Sequence, residues 1–275
     1  MNIFFLSSIS IVVGFISALT GLGGASILTP ILVLLGIPVK EAIASGMVAI
    51  IAVSSGSATS YIKNRITNVK LAMFLSMFTI TGAIIGATIT VLINPTFLYF
   101  FFAAFLLTSF FRLRNPAGAA YSEPRQQDRV SKWLGLHGSY YDGFSRKMVE
   151  YKADHALLGG LGMLIAGLAA GMLGIGAGAF KVTVQENILK LPPKVSSTTS
   201  VFIIGITALA GVSVYLFSGL LNLTLMSPMA IGVTIGAFIG GRVLNKVSDR
   251  ALRVLFFVII IAIIIQMFYK GISSL

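Results

Sequence analysis

Residues 156–182 read ALLGGLGMLIAGLAAGMLGIGAGAFKV, and this stretch decides the fold. From Ala156 to Leu173 no residue is charged, and a bilayer-spanning helix needs roughly 20 mostly apolar residues. Phe97–Phe111 and Val254–Phe268 have the same character. Across all 275 residues, 56% are hydrophobic, 10% are charged and the mean hydropathy is +0.96. Soluble domains carry about 25% charged residues, so this chain is predicted to be an all-α, polytopic transmembrane helical bundle in contact with the lipid bilayer. Ile3–Leu19 lacks a basic leader and runs into more membrane sequence, so it is read as a first membrane helix and not as a cleaved signal. The absence of cysteine excludes disulfides, thiol chemistry and zinc–sulfur sites.

Working outward from that stretch, the chain repeats itself. A shift of about 154 residues lays Pro38 on Pro192, Lys40 on Lys194, Tyr61 on Tyr215, Asn68 on Asn222, Gly82 on Gly236 and Gly86 on Gly240. At 153, Gly21-Leu22-Gly23 falls on Gly174-Ile175-Gly176. Each half divides into five apolar segments. They cover about 2–20, 25–36, 42–62, 69–93 and 96–111 in the first, then about 156–173, 178–190, 195–217, 224–245 and 251–269. The expected organisation is a first transmembrane repeat at 1–111, a cytoplasmic connecting loop at 112–155 and a second repeat at 156–275.

Matching loops carry opposite charge. The connection with Lys63, Arg65 and Lys70 is basic and its counterpart at 217–224 is uncharged, whereas 93–96 is uncharged and its counterpart holds Lys246 and Arg250. Basic residues gather on the cytoplasmic side, so the halves are expected to insert with inverted topology, as in many secondary transporters. Threaded this way, most of the basic residues fall on one side; Lys40 and Lys270 fall opposite, and Lys181 lies at membrane depth. The expectation is a cell (plasma) membrane protein with both termini outside. The net charge of +12 is thus an orientation signal, and nucleic acid is not an expected partner.

The connecting loop holds Trp133, His137 and His155. Neither histidine has a second ligand at metal spacing, so no metal or other cofactor is expected. Its apolar piece Trp133–Leu136 suggests partial order or contact with the membrane surface.

Two glycine clusters, Gly21–Gly24 and Gly174–Gly178, precede the short second segments of the halves. Small residues let membrane helices approach, and that reading suits Gly14/Ala18 and Gly167/Gly171. Glycine at cluster density also disfavours continuous helix, and broken helices expose N–H groups that favour an anion. Gly23, Gly24, Gly176, Ala177 and Gly178 are therefore candidate substrate contacts. Lys181 follows in an apolar run; an intramembrane lysine is costly and functional by default. Glu186, five residues on, is poorly placed for an in-helix pair. Hydroxyl-rich helix starts follow at Ser45 and at Ser196–Ser200. Ser196 and Ser197 are read as N-caps, and Ser45, Thr199 and Ser200 as candidate ligands. An enzyme is not expected: membrane-depth histidine and aspartate are missing, and Glu186 is a lone carboxylate without an acid–base partner.

The GLGG and GIGAGAFKV openings, the serine/threonine-rich helix start and the LHGSYYD stretch at Leu136–Asp142 resemble the sulfite exporter TauE/SafE family over nearly the whole chain. The resemblance implies two inverted repeats that export sulfite or a small organosulfonate by alternating access, driven by an ion gradient with H+ as the default coupling ion. A carrier or channel for another small anion, such as a carboxylate, is the alternative. The chain departs from the family pattern at Ala25, Ala177, Thr183 and Thr198–Val201, and at Ser76, where an acidic residue is expected. Lys181 matches the pattern.

Overall fold

The computed structural model describes residues 3–20, 25–63, 67–114, 127–142, 147–243, 261 and 264–273. Most of the described residues are helical. In the first half, α1 (Ile3–Thr20), α2 (Ala25–Leu34), α3 (Val39–Lys63), α4 (Val69–Leu92) and α5 (Pro95–Arg114) follow one another closely. A short α6 (Arg129–Trp133) and a two-stranded hairpin, β1 (His137–Asp142) and β2 (Lys147–Lys152), occupy the connection. The second half supplies α7 (Ala156–Leu173), α8 (Gly178–Asn187), α9 (Pro193–Phe217) and α10 (Leu223–Val243), and residues 264–273 are helical. Among the described residues, α4, α7 and α9 are each long and apolar enough to cross a membrane. At about 1.5 Å per residue, the ten-residue α2 and α8 reach only about half of a ~30 Å hydrocarbon core.

Helix bounds in the two halves coincide under the offsets read in the sequence. Moved back by 153, α7 and α8 become 3–20 and 25–34, the bounds of α1 and α2; moved back by 154, α9 becomes 39–63, the bounds of α3. Packing follows the same correspondence. α1 lies against α10 and α4 against α7, while α3 crosses α9. A Cβ at Gly167 would strike the Thr79 carbonyl, and a Cβ at Gly14 would strike that of Val233. Likewise Gly82 faces the Leu164 carbonyl and Gly236 that of Ile11. Both pairs of contacts are related by the offsets. Backbones this close need glycine for steric reasons, which is the role read for Gly14 and Gly167.

Prolines set the helix starts. α9 begins at Pro193 behind Pro192, with φ already suited to a first turn. Ser196 and Ser197 therefore lie inside the helix, and the capping role expected of them is corrected: the cap position is Pro192, which offers no side-chain hydrogen bond. α4 does carry a cap, since the Asn68 side chain accepts from the Leu71 N–H at 3.0 Å.

The described residues of the connection, 127–142 and 147–155, make specific contacts with the helices. Asp128 caps α6 by accepting from the N–H groups of Val130 and Ser131, and Ser131 Oγ in turn accepts from the Ala156 N–H at the start of α7. Burial pushes the Asp128 carboxyl up, but hydrogen bonds from the Ser131 side chain and from backbone N–H groups outweigh it and hold the group below its usual range. The hairpin is antiparallel, with Gly138 facing Tyr151 and Tyr140 facing Val149 on its inner side. Leu136, Tyr140, Tyr151 and Ala153 join Leu71 and Leu75 of α4, Met163 of α7, and Leu189 and Leu191 in one apolar cluster. The Asp154 N–H donates to the Leu189 carbonyl at 3.1 Å, so the connection is tied to the α8–α9 turn.

Candidate functional site

α7 ends in three left-handed residues out of four: Gly174 (φ +63°), Gly176 (+73°) and Ala177 (+49°). Gly174 fits the C-terminal cap and its N–H returns to the Ala170 carbonyl. A side chain there would meet the Ile43 carbonyl, and at Gly176 it would press on Ile204 and Ile50. The break thus sits where α3 and α9 cross, with Ile50 and Ile204, offset partners of each other, clustered together. α8 starts at this point. Its first internal hydrogen bond is from the Lys181 N–H to the Ala177 carbonyl, so the N–H groups of Gly178, Ala179 and Phe180 precede the ladder.

Lys181 is fully buried. Its ammonium donates to Thr207 Oγ1 on α9 at 3.0 Å, and among the described residues no carboxylate pairs with it. Thr207 Oγ1 donates to the Ile203 carbonyl at 2.6 Å and lies 3.1 Å from Thr79 Oγ1 on α4. One α8 turn beyond Lys181, Gln185 is also fully buried and its Nε2 donates to Ser200 Oγ at 2.7 Å. Four buried polar atoms near these groups in sequence have no hydrogen-bond partner: Gln185 Oε1, Ser76 Oγ, Ser196 Oγ and Thr199 Oγ1. Orphaned buried polar atoms cost about 1–3 kcal/mol each, so each of these calls for a partner.

The sequence-predicted residues are not all joined. Gly176, Ala177, Gly178, Lys181, Thr199 and Ser200 lie on the break, α8 and the facing turns of α9, all buried. Ser45 is buried on α3, at the position corresponding to Thr199, and stands outside the Lys181–Thr207–Thr79 chain. Gly23 and Gly24 lie outside the described residues. Sequence reasoning missed Gln185, Thr207 and Thr79, and took Ser196 for a cap. A signal was present: Lys181/Gln185 at i, i+4 and Ser196/Ser200/Thr207 at i, i+4, i+11 place polar residues on single faces of otherwise apolar helices. Among the described residues, no cluster of acidic, histidine or cysteine side chains is arranged to hold a metal.

Apolar helices long enough to span a bilayer, enclosing a buried cation among hydroxyls, are the build of a membrane transport protein. The chain belongs to the sulfite exporter TauE/SafE family, whose model matches residues 6–267. It is 25% identical over 286 residues to the probable membrane transporter protein YunE of Bacillus subtilis (strain 168), with both chains covered in full. No solved structure matches the chain.

Proposed function

We propose that this protein exports a small sulfur oxyanion, sulfite or an organosulfonate, by alternating access, and that the anion binds Lys181 at the head of α8. The observation that carries the reading is the fully buried Lys181 ammonium with a hydroxyl and, among the described residues, no carboxylate as partner. A charge removed from water needs a counter-charge, and an arriving oxyanion supplies one. The N–H groups of Gly178–Phe180, which precede the α8 ladder, and the positive end of α8 add to its attraction. Thr207 and Thr79 offer hydroxyls, and Thr199 and Ser200 both stand about two turns nearer the start of α9. The name of the family supports sulfite as first substrate to try.

In this reading residues 1–111 and 156–275 are inverted repeats, 112–155 is cytoplasmic, and both termini face outward from the plasma membrane. Coincident helix bounds and paired glycine contacts support the duplication. Lys40, whose ammonium donates to the Val91 carbonyl at 2.7 Å, marks the end of the bundle where α3 starts and α4 finishes. The connection, with Arg129, Lys132, Lys147 and Lys152, is tied to the other end beside Lys190, consistent with a cytoplasmic basic face. A coupling ion, H+ as the first choice, completes the proposal.

Binding of sulfite, taurine, sulfoacetate and simple carboxylates to purified protein tests it, with Lys181→Ala in parallel. Sulfur oxyanions should bind the parent chain and bind the variant far more weakly. Affinity that is unchanged in Lys181→Ala for every bound anion removes the lysine from the site, and carboxylates binding in preference to sulfite would replace the substrate. A cytoplasmic reporter fused after Leu275 should be inactive; strong activity there overturns the orientation.

A further inference from the structure

The polar residues around Lys181 form a line with a direction. On α8 they are Lys181 and then Gln185; on α9, running the opposite way, they are Thr207, Ser200 and then Ser196. Each rung joins the two helices, Lys181 to Thr207 and Gln185 to Ser200. From Thr207 to Ser196 the line covers eleven residues of helix, about 16 Å at 1.5 Å each, or roughly half of the ~30 Å apolar core. It runs from the α3–α9 crossing toward the turn at Lys190 and Lys194, the end to which the connecting hairpin is tied. Two members, Gln185 and Ser196, are fully buried and hold an unpartnered polar atom.

The corresponding positions of the other half are apolar. Lys181 maps to Leu28, Gln185 to Leu32, Ser196 to Ala42, Ser200 to Gly46, Thr207 to Val53 and Thr79 to Val233. Leu28, Leu32, Ala42 and Val233 are as fully buried as their polar partners. One backbone plan therefore carries a line of hydrogen-bonding side chains in one half of the chain and apolar side chains at the matching positions of the other.

We propose that the α8–α9 lane is the anion's route between the connection-bearing face and Lys181, and that Leu28 and Leu32 of α2 form the barrier closing the opposite half. The proposal rests on the reading of Lys181 as an anion site. An anion leaving water needs donors throughout its passage, and the lane offers hydroxyl and amide groups where the matching positions offer leucine, alanine, glycine and valine; the buried hydroxyls of α2–α3, Thr29, Ser45 and Ser54, lie off those positions. Gln185 suits a waypoint because its terminal amide can turn over: either end satisfies Ser200, whose hydroxyl both donates and accepts, and the other end is left for the passing ion. Ser196 has no solvent exposure, so the lane is shut in this conformation, and access to it reports opening.

The chain has no cysteine, which makes single introduced thiols clean reporters. Ser196→Cys, Ser200→Cys, Gln185→Cys, Leu32→Cys and Leu28→Cys are placed singly in sealed vesicles of either orientation. They are treated with two membrane-impermeant methanethiosulfonates, one bearing a sulfonate and one a trimethylammonium group. Thiols at 196, 200 and 185 should react from the connection-bearing face, with the sulfonate reagent faster by about tenfold because it approaches a buried cation. Lys181→Ala should remove that preference. Leu28→Cys and Leu32→Cys should stay unreactive from this face. Reaction of the α2 thiols there as fast as those of the lane, or inert lane thiols in monodisperse protein, overturns the proposal; Ser200→Cys, nearly isosteric, guards against misfolding at the bulkier changes. Added sulfite should slow lane labelling. A lane that labels as expected but ignores sulfite leaves the route standing and fails the substrate reading.

Discussion

α8–α9 and α2–α3 share their helix bounds under the sequence offset, yet they differ at five matched positions in the packed interior. The first region buries Lys181, Gln185, Ser196, Ser200 and Thr207; the second puts Leu28, Leu32, Ala42, Gly46 and Val53 at the same places. Helix lengths are a backbone property that both regions keep, just as the two halves keep their glycine-mediated crossings of α1 on α10 and α4 on α7. Side-chain chemistry is free to diverge because neither set disturbs those crossings. Symmetry of packing thus coexists with asymmetry of side-chain chemistry, and burying an ammonium is a cost that the polar region alone carries.

Loss of the charge should break this comparison most sharply. Lys181→Ala should lower anion affinity about a hundredfold, the scale of a lost charged hydrogen bond plus an unneutralised ligand, as read by calorimetric titration. Leu28→Ala, its counterpart, should leave affinity unchanged and cost about 2–5 kcal/mol of stability by opening a cavity, as read by denaturant-monitored unfolding in detergent. Equal affinity losses in the two variants would erase the distinction between the regions.

Packing should respond alike in both. Gly167→Leu and Gly14→Leu each drive a side chain into a facing carbonyl, at Thr79 and at Val233. Both should destabilise by about 1–3 kcal/mol or more, with similar falls in monodisperse yield on size exclusion. Unequal losses would show that the two crossings are not equivalent. A milder contrast lies one hydroxyl away: Thr207→Val should weaken anion binding about tenfold, whereas Val53→Thr should leave it unchanged in the same titration.

The smallest effect belongs to the connection. The Asp128 carboxyl is held below its usual range by the α6 cap, so its stabilising contribution is present above the unfolded carboxylate pKa and is lost as pH falls through the lowered folded value, below about 4. Hydrogen exchange of the Val130 and Ser131 amides should accelerate over that range, with exchange in mid-α4 unchanged. Asp128→Asn should remove the acid dependence while keeping the cap, since asparagine caps nearly as well.

The helices were legible because a bilayer leaves few alternatives: long charge-free runs must close their own backbone hydrogen bonds. The predicted 156–173 coincides with α7, and 69–93 and 195–217 depart from α4 and α9 by one or two residues. The glycine break before Lys181 was equally visible, since left-handed residues at Gly174 and Gly176 follow from glycine density. The hairpin was not. Its strands hold together by pairing across the turn and by Tyr140 and Tyr151 docking among residues of α4 and the α8–α9 turn, contacts that no local pattern encodes. Ser196 was misread because a hydroxyl near a helix start suits a cap, and the prolines had moved the start three residues earlier.

Sequence alone determined the membrane environment, the helix succession, the duplication offsets and the isolated lysine, because each is set by hydrophobicity or by residue type along the chain. Only tertiary structure decided which polar groups meet. Thr79 and Thr207 are 128 residues apart and touch because glycines on α4 and α7 let those helices close together beside α9. Gln185 gained meaning from Ser200 across an interhelical gap. A hydrogen bond needs two atoms at one place, and in this chain packing, not spacing, puts them there.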